Sequence, residues 1–156
     1  MTFVSPTKGN MTFDSMFKDI VGYVSESPGD SYKLIIGTDS HSRDDVCFVT
    51  AVIVHRLGKG GRYYYHRSRD RKMASLRQRI FYEAALSLGV ASRLYEKMSQ
   101  NGHSNLNVEI HLDIGKNGET KDLIREIVGM VAGSGFDAKI KPNSYGASKV
   151  ADKYSK

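Results

Sequence analysis

The stretch KLIIGTDSH, residues 33–41, starts as an apolar run and ends in Thr38, Asp39, Ser40 and His41. Its first half reads as a strand bound for a core, and its tip carries a carboxylate and an imidazole. Before it, SPGD (27–30) breaks an amphipathic helix over 12–27, in which Met16, Phe17, Ile20, Val21 and Val24 share a face. Thr12 or Asp14 is the expected cap of that helix. After it, DVCFVTAVIVHR (45–56) reads as a longer strand buried on both faces. LGKGG (57–61) then turns the chain into a third strand, RYYYHRSR (62–69).

Ser75 followed by Gln78 has capping-box spacing, and Leu76, Ile80, Ala84, Leu88, Ala91, Leu94, Tyr95 and Met98 keep the helical period to about residue 99. NVEIHLDIG (107–115) is a fourth strand, again running into an aspartate. An amphipathic helix over 119–133, a short strand over 137–142 and a final helix over 146–156 complete the order. Three strands joined by tight turns predict an antiparallel meander, and later strands separated by helices predict parallel crossovers. The expected fold is therefore α/β, a mixed five-stranded sheet with helices on both faces. It forms one domain over 1–156, a leader and helix (1–30) before a core (31–156). Asp39 and Asp113 each close a strand, where chemistry collects in such sheets.

The 156 residues suffice for a real core, and 40% hydrophobic with 26% charged residues is ordinary globular composition. No apolar stretch reaches membrane-spanning length, and MTFVSPTKGN lacks a secretory layout. A lone cysteine, Cys47, sits in an apolar run and reads as a buried structural thiol, so a cytoplasmic protein without a membrane partner is expected. The net charge of +6 favours an anionic partner such as nucleic acid. RYYYHRSRDRK (62–72) concentrates that charge in Arg67, Arg69, Arg71 and Lys72, beside three consecutive tyrosines. Two readings stand side by side: arginines on phosphates with tyrosines stacking on bases, or an edge strand whose tyrosines pack on helices. LGKGG lacks the strand-to-helix context of a phosphate loop and is a hairpin turn.

IGTDSH, HLDIG and KPNSYGASKVADKY, with the order of elements over 31–156, resemble the bacterial YkuK-type ribonuclease H-like family. The resemblance implies the ribonuclease H-like fold, with the leading helix as an addition. It also implies a nuclease site of four acids on the first strand, first main helix, fourth strand and last helix. Carried over, these are Asp39, Glu83, Asp113 and Asp152. Such acids would hold magnesium or manganese for phosphodiester hydrolysis of RNA, DNA or a hybrid. Lys141 and Lys149, in and after the loop before the last acid, add charge for a nucleic-acid partner. Some hydrolytic relatives carry a histidine in that loop; here KPNSYG has none.

If the strands of Asp39 and Asp113 are neighbours, His41 and His111 converge with them, because residues two apart share a strand face. Such a mixed site suits zinc or iron as well as manganese. The simpler alternative makes His111 a hydrogen-bonded core histidine. Three functions follow: a metal-dependent nuclease, a nucleic-acid-binding module without turnover, or a metal-binding regulatory or assembly protein.

Overall fold

The computed structural model describes residues 1–71, 73, 75–103, 106–144 and 154. Its strands are β1 (Thr2–Ser5), β2 (Gly9–Thr12), β3 (Tyr32–Ser42), β4 (Asp45–Arg56), β5 (Gly61–Arg71), β6 (Asn107–His111) and β7 (Asp137–Lys139). Its helices are α1 (Phe13–Glu26), α2 (Leu76–Gln100) and α3 (Ile124–Gly133), the last preceded by a 3-10 turn, Lys121–Leu123. The sheet order is β2-β1-β5-β4-β3-β6-β7. As expected, β3, β4 and β5 form an antiparallel meander, and β6 and β7 join in parallel.

The sheet has seven strands rather than five. The addition is the β1–β2 hairpin, built from what reads as a leader. Its strands have four residues each, with Thr2, Ser5, Asn10 and Thr12 among them, too short and polar for periodicity to register. β1 pairs with β5 at Val4 and Tyr65, so β5 is not the edge strand of the simpler reading. The helix starts were legible: Thr12 accepts from the Ser15 N–H at 3.1 Å, and Ser75 from the Gln78 N–H at 3.3 Å. In the β4–β5 turn, Gly58 and Gly60 adopt φ of +77° and +88°, which side chains disfavour.

Even-numbered residues of the central strands, among them Leu34, Ile36, Val52, Val54 and Ile110, join α1, α2 and α3 in the main core. The described helices thus share one face. On the other face Cys47, Val49, Ala51 and Tyr65 form a smaller cluster covered by Tyr63 and Tyr154. The rest of the segment expected as the final helix lies outside the described residues.

α2 is pinned to the sheet by more than apolar packing. Thr38 Oγ1 lies 3.0 Å from Thr50 Oγ1 and 2.8 Å from Ser87 Oγ, all three buried. Ser87 is one helical turn beyond Glu83 on the same face. This hydroxyl contact therefore sets where Glu83 meets β3.

Candidate functional site

The polar tip of β3 opens on a cavity of about 330 Å³ lined by Asp39, Ser40, Arg79, Glu83, Asp113 and Lys141, with the 117–120 loop closing one side. Three of the four acids expected from the sequence meet there, from β3, α2 and the segment after β6. The parallel register explains the meeting of the aspartates. It pairs Gly37 with His111, so Asp39 and Asp113, each two residues on, come level where the strands diverge. Asp152 lies outside the described residues, as do Lys72 and Lys149.

Each acid has its own surroundings. Ser40 Oγ donates to Glu83 Oε2 at 2.5 Å. Burial, then the neighbouring charges of Asp39 and Asp113, push the Glu83 carboxyl up to about 8, against the lowering effects of the Ser40 hydrogen bond and the Arg79 charge. Lys141 Nζ lies 2.8 Å from Asp113 Oδ1. That contact follows from the backbone: the Lys141 N–H donates to the Ile114 carbonyl at 2.9 Å. Gly115 adds room for the lysine stem, since a Cβ there would stand 3.1 Å from Lys141 Cβ.

The donors suit a hard divalent cation: carboxylates supplemented by the oxygens of Ser40 and Thr120 around the same cavity. Repulsion from Asp39 and Asp113, which adds to burial in raising Glu83, is what such a cation relieves. Among the described residues, however, no group of three or more His, Cys, Asp or Glu side chains stands in ligating array. Ser40 and Lys141 engage Glu83 and Asp113 instead.

His41 and His111 do not line the cavity. His111 is buried, with Nε2 3.0 Å from Glu109 Oε1, while Glu109 Oε2 lies 3.1 Å from Lys33 Nζ. For Glu109, burial raises the pKa, but hydrogen bonds from His111 and Lys33 and their charges outweigh it and leave it lowered. Glu109 was not singled out in the sequence, because in NVEIH it passes for the polar half of an alternating strand.

The tyrosines of β5 are committed to packing. Tyr65 stacks on Tyr154 with centroids 3.9 Å apart, and the Tyr63 and Tyr154 hydroxyls lie 2.9 Å apart. Tyr64 is buried and donates to Asp19 on α1. Arg67, Arg69 and Arg71 are exposed at alternate positions of β5 and stand outside the cavity. Arg67 Nε donates to the Tyr154 carbonyl at 2.9 Å, and Arg69 lies 3.4 Å from Asp45.

No helix among the described residues is long and apolar enough to cross a membrane. No solved structure matches the chain. An uncharacterized protein of Bacillus subtilis (strain 168), YkuK, is 38% identical over 172 residues, an overlap that covers 99% of this chain and 96% of the relative. A family model described as Ribonuclease H-like matches residues 15–156. With that match, an element order of meander followed by parallel crossovers, and acids at the tips of β3 and β6, the chain belongs to the ribonuclease H-like family, in its YkuK-type branch.

Proposed function

We propose that this protein is a metal-dependent nuclease that hydrolyses phosphodiester bonds in RNA, DNA or a hybrid of the two. The observation that carries the reading is the convergence of Asp39, Glu83 and Asp113, from three separate elements, on one cavity. Asp39, Glu83 and Asp113 would hold magnesium or manganese, and Asp152 is assigned with them from the family resemblance. When bound, a divalent ion would activate water and offset charge building on the phosphate. The chain's own part is positional. Ser40 turns the Glu83 carboxylate toward β3, and the Thr38–Thr50–Ser87 contact holds α2 at that height. Lys141 neutralises Asp113 and, once displaced, offers its ammonium to a phosphate oxygen. The net charge of +6 suits a polyanionic substrate, met outside the cavity by Arg67, Arg69 and Arg71.

The second reading is a nucleic-acid-binding module without turnover, favoured by one observation: Lys141 already supplies Asp113 with a cation. Incubating the protein with labelled RNA, DNA and hybrid strands plus magnesium or manganese separates the two. Metal-dependent cleavage that disappears in Asp39→Asn supports the nuclease. Binding without cleavage in any of these conditions supports the module.

A further inference from the structure

Arg79, Glu83 and Ser87 recur every four residues on α2 and form one stripe facing β3. The stripe runs against the strand. Ser87 meets Thr38, and Glu83 meets Ser40, two residues nearer the strand tip. One turn further, at the cavity wall, Arg79 continues the series, and its Nε is buried with no hydrogen-bond partner among the described residues. A buried donor left unpaired is costly, of order 1–3 kcal/mol and more for a charged group, so folded proteins seldom retain one without use. The Arg79 charge is felt by Glu83, yet no ion pair joins them among the described residues. Lys141, the other cation of the cavity, is engaged with Asp113. Arg77, two residues earlier, behaves as an ordinary surface arginine and grips Glu126 at 2.7 Å.

We infer that Arg79 is the anchor for a phosphate of the substrate strand, received by its guanidinium fork inside the acid-lined cavity. The inference rests on the nucleic-acid reading above and names the group that takes the anion. A guanidinium suits the task because it presents parallel N–H donors to phosphate oxygens and keeps its charge at any working pH. Placed among carboxylates, it also offsets their repulsion toward the incoming polyanion, whether or not a cation is present. Arg79 therefore supports binding in the absence of metal.

The test is fluorescence anisotropy of short labelled single-stranded RNA and DNA in EDTA, over a series of salt concentrations. Wild type binds. Arg79→Gln weakens binding about tenfold across all sequences, and log K falls less steeply with log salt, by about one unit of slope. Arg79→Lys keeps the charge, loses the fork and falls between them. Arg77→Gln removes the same charge two residues away and binds as wild type. Undiminished affinity in Arg79→Gln, full affinity in Arg79→Lys, an equal loss in Arg77→Gln, or no wild-type binding in EDTA each overturns the anchor. Parallel manganese-dependent cleavage assays keep the two readings apart. Cleavage by wild type with Arg79→Gln affinity intact sinks the anchor and leaves the nuclease. Lost affinity without cleavage under any metal leaves the anchor and sinks the nuclease.

Discussion

Asp19 on α1 and Glu83 on α2 are both carboxylates turned toward the same face of the sheet, and their surroundings drive them in opposite directions. Burial raises the Asp19 pKa, but hydrogen bonds from Lys8 and Tyr64 and the charges of Lys8 and Arg62 outweigh it and leave the group lowered. Arg62 Nη1 lies 3.3 Å from both of its oxygens. Around Glu83 burial dominates, one hydroxyl assists, and two further acids repel it, so the carboxyl rises to about 8. Asp19 ties the β1–β2 turn, α1 and β5 together, and its charge stabilises the native state. For Glu83 the fold disfavours the charged form rather than using it. A carboxylate kept where folding gains little from it is what the proposed metal site requires.

The largest effect that could break this contrast is on turnover. Asp39→Asn and Glu83→Gln are each expected to reduce metal-dependent cleavage by at least about a hundredfold, measured on labelled RNA and DNA. Glu83→Gln should meanwhile melt close to the wild-type temperature, because a carboxyl raised to about 8 is largely uncharged at neutral pH and the amide matches that neutral form. A substantial fall in melting temperature would make Glu83 a structural residue like Asp19. Next in size is the response to cations. Manganese at about 100 times its Kd should add roughly 2.7 kcal/mol, or about 5–10 °C, in differential scanning fluorimetry, and Asp39→Asn should abolish the gain.

Asp19→Asn should do the converse. It removes the charge and one of the two acceptor oxygens that Lys8, Arg62 and Tyr64 share, at a cost of about 2 kcal/mol, or about 4–8 °C in melting temperature. Cleavage per folded molecule should not change. A variant that melts normally but loses cleavage would move Asp19 into the functional machinery.

The two carboxylates also differ in how they could be read beforehand. Asp39 and Asp113 were legible because each ends an apolar run, and the bounds of β4 and the caps at Thr12 and Ser75 followed from the same local patterns. Glu83 was found by family correspondence, as the acid in the first half of its helix. Asp19 escaped notice since its partners Lys8, Arg62 and Tyr64 lie up to 45 residues away, and nothing local announces a long-range ion pair. Nothing local marks Arg79, because an Nε without a partner among the described residues is a fact of packing rather than of order along the chain. The tyrosines at 63–65 show the same limit. Composition suited either base stacking or packing, and contacts with Tyr154 and Asp19 settle all three as packing groups.

The smallest effect sharpens the contrast through pH. Asp19 has a folded pKa below its ordinary value of 3.8, so the unfolded chain takes up its proton first as acid is added. Its stabilising contribution is fully present above about pH 5 and disappears as pH falls through the depressed folded value. Tyr64, which faces it from β5 and whose hydroxyl is raised by burial further above the ordinary tyrosine value, keeps its proton throughout that range. Melting temperatures of wild type and Asp19→Asn, measured from pH 7 down to pH 2, should therefore differ by a constant amount at first. They should then converge below about pH 4, with wild type showing the steeper acid limb. Parallel curves down to pH 2 would mean that Asp19 acts through shape and hydrogen bonding alone, and that its charge is no more needed by the fold than that of Glu83.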